Sequence, residues 1–251
     1  MLVDERRHRI AMHVLSQGGA TVGELSRVFG VSAVTIRSDL EAMEQMGVLK
    51  RNHGGAVANR VARFSPTFQE QTSVNLESKR SIAAAAVRMV EDGDTVLLDA
   101  GSTVLFVSRE LRDRNVTLVT NSLFVVNEMV NRSHAELMVV GGVLYEPGLC
   151  FVGSLAEGFL AGVHVETVFL GANGVSPRGV WANNAAEAGV KRAMVATAER
   201  VVVLADASKI GRNSLVSVVG LDRVHALVTD AAAPQAALEE ISQMGLEVVV
   251  A

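Results

Sequence analysis

The stretch VSAVTIRSDLEAMEQMGVLKRNHGGAV, residues 31–57, decides the fold of the N-terminal region. Ser32 is a good N-cap for the helix that follows it. Ile36, Leu40 and Met43 stand at i, i+4 and i+7, which is the spacing of one helical face. The stretch therefore predicts a capped helix with one buried side.

A basic hairpin is predicted directly after that helix. Gly47 is expected to end the helix, and VLKRNHGGAV then predicts two short strands. Gly54 and Gly55 permit either the turn of the hairpin or the close approach of another backbone.

Two shorter helices are predicted before the stretch. The first covers residues 4–16. In the second, Thr21 is the N-cap, Glu24 is its capping-box partner, and Gly30 ends the helix. The apolar positions expected to face the core are Ile10, Val14 and Leu15 in the first helix and Leu25 and Val28 in the second. Three short helices and a basic hairpin are typical of a winged helix-turn-helix, whose last helix enters the major groove of DNA.

The start of the third helix and the hairpin carry groups suited to DNA. Hydroxyl groups can donate to phosphates, an arginine can pair with guanine or clamp a phosphate, and cations on the wing can contact the backbone or the minor groove. The residues predicted to contact DNA are Ser32, Thr35, Arg37, Ser38, Lys50, Arg51 and His53. The alternative is a small helical protein-interaction domain, in which Arg37 and Lys50 are ordinary solvated charges.

The net charge of −4 hides an asymmetry along the chain. Residues 1–60 hold 8 Lys+Arg against 6 Asp+Glu, whereas residues 61–251 hold 15 against 21. The excess acid therefore belongs to the C-terminal region, and the net charge does not exclude a nucleic-acid partner.

The sequence predicts a cytoplasmic protein with no membrane partner. It has no uninterrupted apolar run of about 18 residues, as a transmembrane helix needs. Its N-terminus lacks the apolar segment of a secretory signal. The single cysteine, Cys150, cannot form an internal disulfide and is expected to be a small buried hydrophobe.

The chain is predicted to contain a DNA-binding domain at 1–57, a linker at 58–76, and an α/β domain at 77–251. In the last of these, the apolar runs TVLLD, VTLVTN, AELMVVGG, ETVFLGANG, RVVVLAD, VHALVTD and LEVVVA alternate with helical segments. Continuous Val/Leu runs between helices are typical of a parallel sheet covered on both faces. The expected fold class is thus α/β, a winged helix-turn-helix followed by an open α/β domain.

Five polar motifs, DAGST, TNS, GG, GANG and DASKIG, follow predicted strands. Ligands bind outside the carboxyl ends of the strands in an open α/β sheet, so we expect these motifs to line one crevice. In DAGST, Gly101 is expected to allow a tight turn, after which Ser102 and Thr103 offer N–H and hydroxyl groups to a phosphate at a helix N-terminus. Lysines can add positive charge, and carboxylates and amides can bond sugar hydroxyls. The residues predicted to bind a small anionic effector are Asp99, Gly101, Ser102, Thr103, Asn121, Ser122, Gly141, Gly142, Gly171, Asn173, Glu187, Lys191 and Lys209.

Each part of this predicted crevice also has a simpler explanation. A Gly-Ser-Thr run after a strand is often just a helix cap, and Asn121 can be a turn residue. Glu187 and Lys191 stand at i and i+4, where they can form a surface ion pair. Trp181 can simply fill a loop.

The stretch at 31–57 resembles the DeoR family of bacterial transcriptional regulators, whose pattern is close to T-I-R-R-D-L, then L-E, G and R-x-H-G-G-A. The residues that fit are Arg37, Asp39, Leu40, Gly47, Arg51, His53, Gly54 and Gly55. Ser38 stands where the family usually has a second arginine, which is expected to weaken the salt dependence of DNA binding slightly.

The C-terminal motifs are similar, in the same order, to the sensor domain of that family, which is similar in fold to ribose-5-phosphate isomerase. The family's E-x-x-x-K segment matches Glu187 and Lys191, and its S-K-F-G segment matches Ser208 and Lys209. The resemblance implies a phosphorylated sugar or a related metabolite as effector. VWANNAA stands where the family usually has a Thr-rich run, which is expected to change the identity of the sugar.

These features predict a ligand-responsive transcriptional regulator, a repressor of a carbohydrate-utilisation operon that acts as a homo-oligomer, either a dimer or a tetramer. No cofactor is predicted, and the scattered histidines give no metal site. One alternative is a sugar-phosphate isomerase with Asp99, Glu187 and Lys209 as acid–base candidates. Another is a module that acts through protein partners alone.

Overall fold

The computed structural model divides into two compact units, Met1–Pro66 and Thr67–Ala251. The structure describes residues 3–17, 19–45, 49–52, 54–58, 72, 74–130 and 135–251. Most of the predicted linker at 58–76 lies outside the described residues, as does Gly47.

The N-terminal unit has the predicted winged helix-turn-helix order. Its elements are α1 Val3–Gln17, β1 Gly19–Thr21, α2 Val22–Phe29, α3 Ala33–Gln45, β2 Leu49–Asn52 and β3 Gly55–Ala58. The three described strands form an antiparallel sheet in the order β1-β3-β2. The hairpin is therefore joined by a strand from before α2.

Helix α2 has the predicted ends. Thr21 and Glu24 form a reciprocal capping box, and Gly30 ends the helix with a φ of 66°. Leu25 faces the core as expected, but the prediction for Val28 is wrong, since that side chain is 58% exposed. In a helix of only eight residues, Val28 lies three residues beyond Leu25 but toward solvent, and Phe29 packs against the core instead.

A buried charge cluster joins α1 to α3. Asp39 is buried on α3 and accepts hydrogen bonds from Arg6 Nε at 2.7 Å and Arg7 Nε at 3.0 Å. Burial acts to raise the pKa of Asp39, but the two arginines outweigh it and the pKa is lowered. Ile36 and Leu40 are buried beside this cluster. The rotation of α3 about its own axis is thereby fixed.

Gly55 is needed for the wing because another backbone passes close to it. A Cβ at this position would lie 2.1 Å from the carbonyl oxygen of Ala20, whereas a Cβ at Gly54 would meet nothing within 4 Å. Of the two roles open to the glycine pair, the close approach is therefore the role of Gly55.

The C-terminal unit alternates strands and helices as predicted. Its described strands are β4 Thr95–Leu98, β5 Thr117–Thr120, β6 Glu136–Val139, β7 Val143–Tyr145, β8 Cys150–Val152, β9 Val165–Gly171, β10 Gly174–Ser176, β11 Gly179–Ala182, β12 Ala198–Leu204, β13 Val216–Val219, β14 Ala226–Thr229 and β15 Glu247–Val250. Its described helices are α4 Leu76–Val87, α5 Ser102–Glu110, α6 Leu123–Met129, α7 Ser154–Leu160, α8 Ala185–Thr197 and α9 Gln235–Ser242, with short 3₁₀ turns at Ala207–Lys209 and Leu221–Arg223.

Seven of the described strands form one parallel sheet in the order β15-β14-β12-β9-β4-β5-β6. All seven apolar runs named above supply a strand to it. Neighbouring residues face opposite layers: Val168 lies in one buried cluster and Phe169 in the other. This confirms the prediction of a parallel sheet covered on both faces.

The strand order reverses between β4 and β9. The chain continues from β4 outward to β5 and β6, and then returns to the other side of β4 for β9. Such a switch point opens a crevice at the carboxyl ends of its two strands. The hairpin β7–β8 is formed by the segment that follows β6, and the small sheet β10-β11-β13 by the segments that follow β9 and β12.

In the described part of the chain, no helix combines the length and the apolar character that crossing a membrane requires. Cys150 is buried, which confirms its predicted role as a small hydrophobe.

Candidate functional site

The start of α3 is built as predicted for a reading helix. The N–H of Thr35 donates to Ser32 Oγ at 3.1 Å, which caps the helix, and the two hydroxyls lie 2.9 Å apart. Arg37 and Ser38 are exposed. The N-terminal part of α3 thus carries two hydroxyls and an exposed guanidinium, and their predicted contacts with DNA stay predictions.

The wing is only partly described. The side chain of Arg51 lies 4.0 Å from Glu41, and its backbone N–H donates to Glu44 at 2.9 Å. These contacts tie β2 to α3. The side chain of Lys50 and the whole of His53 lie outside the described residues, so their predicted contacts stay predictions.

In the C-terminal unit, three predicted effector residues meet at the switch point. Asp99 follows β4, and its carboxylate accepts the N–H of Gly171, the last residue of β9, at 2.9 Å. The ammonium group of Lys191 donates both to this carboxylate and to the carbonyl of Gly171, the latter at 3.0 Å. Lys191 on α8 therefore links the ends of β4 and β9.

The suggestion of a surface ion pair between Glu187 and Lys191 is wrong. Lys191 is only 4% exposed and bonds to Asp99 across the sheet. Burial acts to lower the pKa of Lys191, but the carboxylates of Asp99 and Glu187 outweigh it and raise the pKa, so the lysine stays charged. Burial is also the main reason that the pKa of Glu187 is raised.

The N-terminus of α5 lies at the end of β4, next to Asp99. Ser102 and Thr103 form its first turn and are both buried. The chain bends at Gly101 as expected, but its φ of 178° is an extended conformation that any residue adopts, so the bend does not require a glycine. The N–H groups of a first helical turn have no partner within the helix, and they remain suited to an anion.

Asn121 is held between β5 and the hairpin. Its side-chain amide donates to the carbonyl of Phe151 at 3.0 Å, and the N–H of Phe151 donates back to the carbonyl of Asn121 at 2.9 Å. Its Oδ1 is buried and has no partner among the described residues. Ser122 is buried and caps α6. Asn121 is thus more than a turn residue, since it offers a fixed and unused acceptor.

The residues after β9 form a network of their own. The N–H of Asn173 donates to the carbonyl of Trp181 at 2.9 Å, and Asn173 Oδ1 accepts the N–H of Asn183 at 3.2 Å. Trp181 is half-buried and donates from its ring to Ser176 at 3.2 Å. The tryptophan is therefore part of a small sheet whose first loop starts at the end of β9.

The two glycines after β6 differ in role. A Cβ at Gly142 would lie 2.7 Å from the carbonyl of Val152, so this glycine lets the hairpin pack closely. A Cβ at Gly141 would meet nothing within 4 Å.

Lys209 ends the 3₁₀ turn after β12, where its N–H donates to the carbonyl of Asp206 at 2.9 Å.

Sequence reasoning missed Lys79 on α4, which is 4% exposed and donates to the carbonyl of Val74 at 2.6 Å. Burial is the main cause that lowers the pKa of Lys79. The charge of Asp206 acts to raise this pKa, and that of Lys209 acts to lower it. The run ESKR around it looks like an ordinary solvated helix start, which is why it gave no signal.

Sequence reasoning also missed the segment between β7 and β8. Leu149 has a φ of 44°, which is strained for a leucine, and its carbonyl accepts the N–H of Leu123 at 3.0 Å. A Cβ at Gly148 would lie 3.1 Å from Glu187 Oε1, so this segment passes over Glu187. The Pro-Gly pair in YEPGLC was the available signal for a turn here.

Within the described residues, no group of three or more His, Cys, Asp or Glu side chains could hold a metal ion.

Two family models match the chain. The model of the DeoR C terminal sensor domain matches residues 74–231, and that of the DeoR-like helix-turn-helix domain matches residues 6–61.

Full-length relatives agree with these matches. A putative aga operon transcriptional repressor of Escherichia coli O157:H7 is 34% identical, over 98% of this chain and 93% of the relative. An L-fucose operon activator of Haemophilus influenzae is 34% identical, over 91% of this chain and 92% of the relative. Among solved structures, ribose 5-phosphate isomerase a of Methanocaldococcus jannaschii covers 54% of each chain with a TM-score of 0.39 and 22% identity. The last likeness concerns the fold alone.

Proposed function

Because this chain belongs to the DeoR family of transcriptional regulators, we propose that it is a repressor of a carbohydrate-utilisation operon and that a phosphorylated sugar in its sensor domain changes its affinity for DNA. Like its relatives, the chain is a DNA-binding transcriptional regulator and not an enzyme. We therefore set aside the two alternative interpretations, a sugar-phosphate isomerase and a module that acts only through protein partners.

The observation that carries the sensor proposal is the meeting of Asp99, Gly171 and Lys191 at the switch point. The buried pair of Lys191 and Asp99 fixes the ends of β4 and β9. Its hydrogen bonds do not involve the N–H groups at the N-terminus of α5. That N-terminus is the proposed phosphate site, with Ser102, Thr103 and Lys209 contributing.

The sugar part of the effector would meet polar groups from neighbouring strand ends. The unused Oδ1 of Asn121 is an acceptor for a hydroxyl, because an amide oxygen buried without a partner is costly. We propose that Asn173 and Glu187 also bond sugar hydroxyls, whereas Asp99 and Lys191 are engaged with each other.

A sugar is proposed because the relatives are named for operons, one of them the L-fucose operon. The relatives include both a repressor and an activator, so the sign of regulation rests on the proposal alone. We further propose that the protein acts in the cytoplasm as a dimer or tetramer, which places two α3 helices on a repeated site.

The first test joins DNA binding to effector binding. A labelled duplex from upstream of the operon that carries the gene is titrated with the full chain, and anisotropy gives Kd with and without each member of a panel of sugar phosphates and their unphosphorylated parents. Trp181 fluorescence follows effector binding in the same samples. We expect one phosphorylated sugar to change both signals and its parent to change neither, since a ligand acts only through unequal affinity for two states.

Two variants separate the parts of the proposal. Arg37→Ala is expected to weaken DNA binding about tenfold or more and to leave the Trp181 signal unchanged. Lys209→Met is expected to weaken sugar-phosphate binding without changing DNA binding in the absence of effector. Arg80→Met, an exposed cation on α4, is the control for both. Equal DNA affinity with every member of the panel would contradict the sensor role.

A further inference from the structure

The first turn of α3 exposes an apolar side chain. Val34 is 73% exposed, more than any other large apolar side chain in the described part of the N-terminal unit. Arg37 and Ser38 follow it at i+3 and i+4, and both are exposed. Side chains three and four residues apart share one helical face. Val34 therefore lies on the same face as the residues expected to contact DNA.

Exposure alone would not give Val34 a role, because single exposed valines are common on protein surfaces. The role is inferred from its position on the helical face that also carries Arg37 and Ser38. Valine forms helix less readily than alanine, and at this exposure it adds little to the core. The rotation of α3 is also fixed, since Ile36 and Leu40 are buried and Asp39 is held by the arginines of α1. The face that carries Val34 is thus held outward.

In the major groove of DNA, thymine presents a 5-methyl group, and apolar side chains contact it. We propose that Val34 reads the methyl group of a thymine in the operator, next to the base pair that Arg37 contacts. This inference rests on the proposed docking of α3 in the major groove.

The spacing of the two residues limits where that thymine lies. Val34 and Arg37 are three residues apart, about 4.5 Å along the helix axis, and base pairs are about 3.4 Å apart. The thymine is therefore expected within about two base pairs of the base that Arg37 contacts. That distance is a second, independent property of the operator to test.

The experiment uses duplexes that the full-length wild-type protein selects from a random library. In the selected consensus, each thymine is replaced in turn by deoxyuridine, which removes only the methyl group, and Kd is measured by anisotropy at constant salt. We expect one thymine in each half-site whose replacement weakens wild-type binding about fourfold, the effect of losing one buried methyl-sized group. Val34→Ala is expected to show a smaller difference between the thymine and deoxyuridine duplexes, because alanine presents less apolar surface to the methyl group.

Two variants serve as controls. Val28→Ala removes an exposed valine from α2, away from the reading face, and is expected to keep the deoxyuridine effect. Arg37→Ala is expected to lose base preference within about two base pairs of that thymine and to keep the methyl effect. Val34→Ala is expected to melt at the wild-type temperature, because the side chain is exposed and alanine favours helix.

Three outcomes would overturn the inference. They are a selected consensus in which no thymine responds to deoxyuridine, an undiminished deoxyuridine effect in Val34→Ala, and an equal loss of affinity by Val34→Ala for selected and random duplexes. In each of these the protein still selects DNA, so the proposed function survives. If the wild-type protein selects no duplex, the docking of α3 itself is wrong.

Discussion

Lys191 donates a hydrogen bond to Asp99 although 92 residues separate them in the chain. Both side chains are buried, so this pair joins α8 to the end of β4 in a place from which water is largely excluded. Breaking one partner of such a pair leaves the other charge uncompensated, which costs more than the net contribution of the intact pair.

Replacing Lys191 with methionine is therefore expected to destabilise the sensor domain by about 3–5 kcal/mol. Urea unfolding followed by Trp181 fluorescence measures the loss. The double variant Asp99→Asn/Lys191→Met is expected to regain part of it, because no buried charge then remains. Lys209→Met is the control for the loss of a lysine and is expected to change stability by less than about 1 kcal/mol. An unchanged unfolding midpoint in Lys191→Met would contradict the role of the pair.

The Asp39 cluster is expected to make the N-terminal unit sensitive to acid. The pKa of Asp39 is lower in the folded protein than in the unfolded chain, so its contribution is present above the unfolded value of about 3.9 and is lost as the pH falls through the folded pKa. Asp39→Asn is expected to lower the melting temperature at pH 7 by roughly 5 °C, the equivalent of about 1 kcal/mol.

The difference between wild type and Asp39→Asn should shrink towards pH 3, as the wild-type carboxylate becomes protonated. Far-UV circular dichroism during heating at a series of pH values checks this. Glu41→Gln is the control, because this carboxylate on the same helix is 63% exposed and approaches Arg51 only at 4.0 Å, a surface pair that contributes little. A difference that is constant from pH 7 to pH 3 would count against the cluster.

Gly55→Ala is expected to disrupt the wing, because its Cβ would overlap the carbonyl of Ala20 at 2.1 Å. Overlap of this kind typically costs about 1–3 kcal/mol. The melting temperature of the N-terminal unit and the affinity for DNA should both fall. Gly54→Ala, where the added Cβ meets nothing within 4 Å, is the matched control and should leave both unchanged. Equal behaviour of the two variants would refute the close approach.

The Cys150 thiol is expected to be inert in the folded protein. Burial is the largest of the causes that raise its pKa to about 12, so almost no thiolate is present at pH 8. Iodoacetamide at pH 8 should leave the folded chain unmodified over hours and label it rapidly in urea, as mass spectrometry will show. Rapid labelling of the folded chain would mean that the segment around β8 opens readily.

Patterns along the chain predicted most of the fold. The capping box of Thr21 and Glu24 and the seven apolar runs of the sheet were all readable, because capping and burial leave local signatures. Val28 was misplaced, because apolar spacing on a helix of two turns leaves the choice between Val28 and Phe29 open until the neighbouring elements are known.

The candidate site was predicted less completely. Asp99 and Gly171 were named from motifs at strand ends and Lys191 from the E-x-x-x-K segment, but the bond between Asp99 and Lys191 depends on the strand order, which no local pattern encodes. Lys79 was missed for the same reason, since the charges that act on it, Asp206 and Lys209, are distant in sequence. The turn at Leu149, by contrast, had a local signal in the Pro-Gly pair. Glu187 and Lys191 show the converse error, in which proximity along a helix suggested a pairing that the sheet overrides.

The contacts among Asp99, Gly171 and Lys191 also limit how hybrid sensors could be built from this chain. A segment exchanged to alter effector choice would have to keep Asp99 and Lys191 together, because a donor sequence that changes only one of them would leave the other buried charge unpaired and destabilise the hybrid, whereas Gly171 contributes backbone groups alone. Cuts placed between β4 and α8 therefore separate partners, whereas exchanging the whole sheet domain keeps them together.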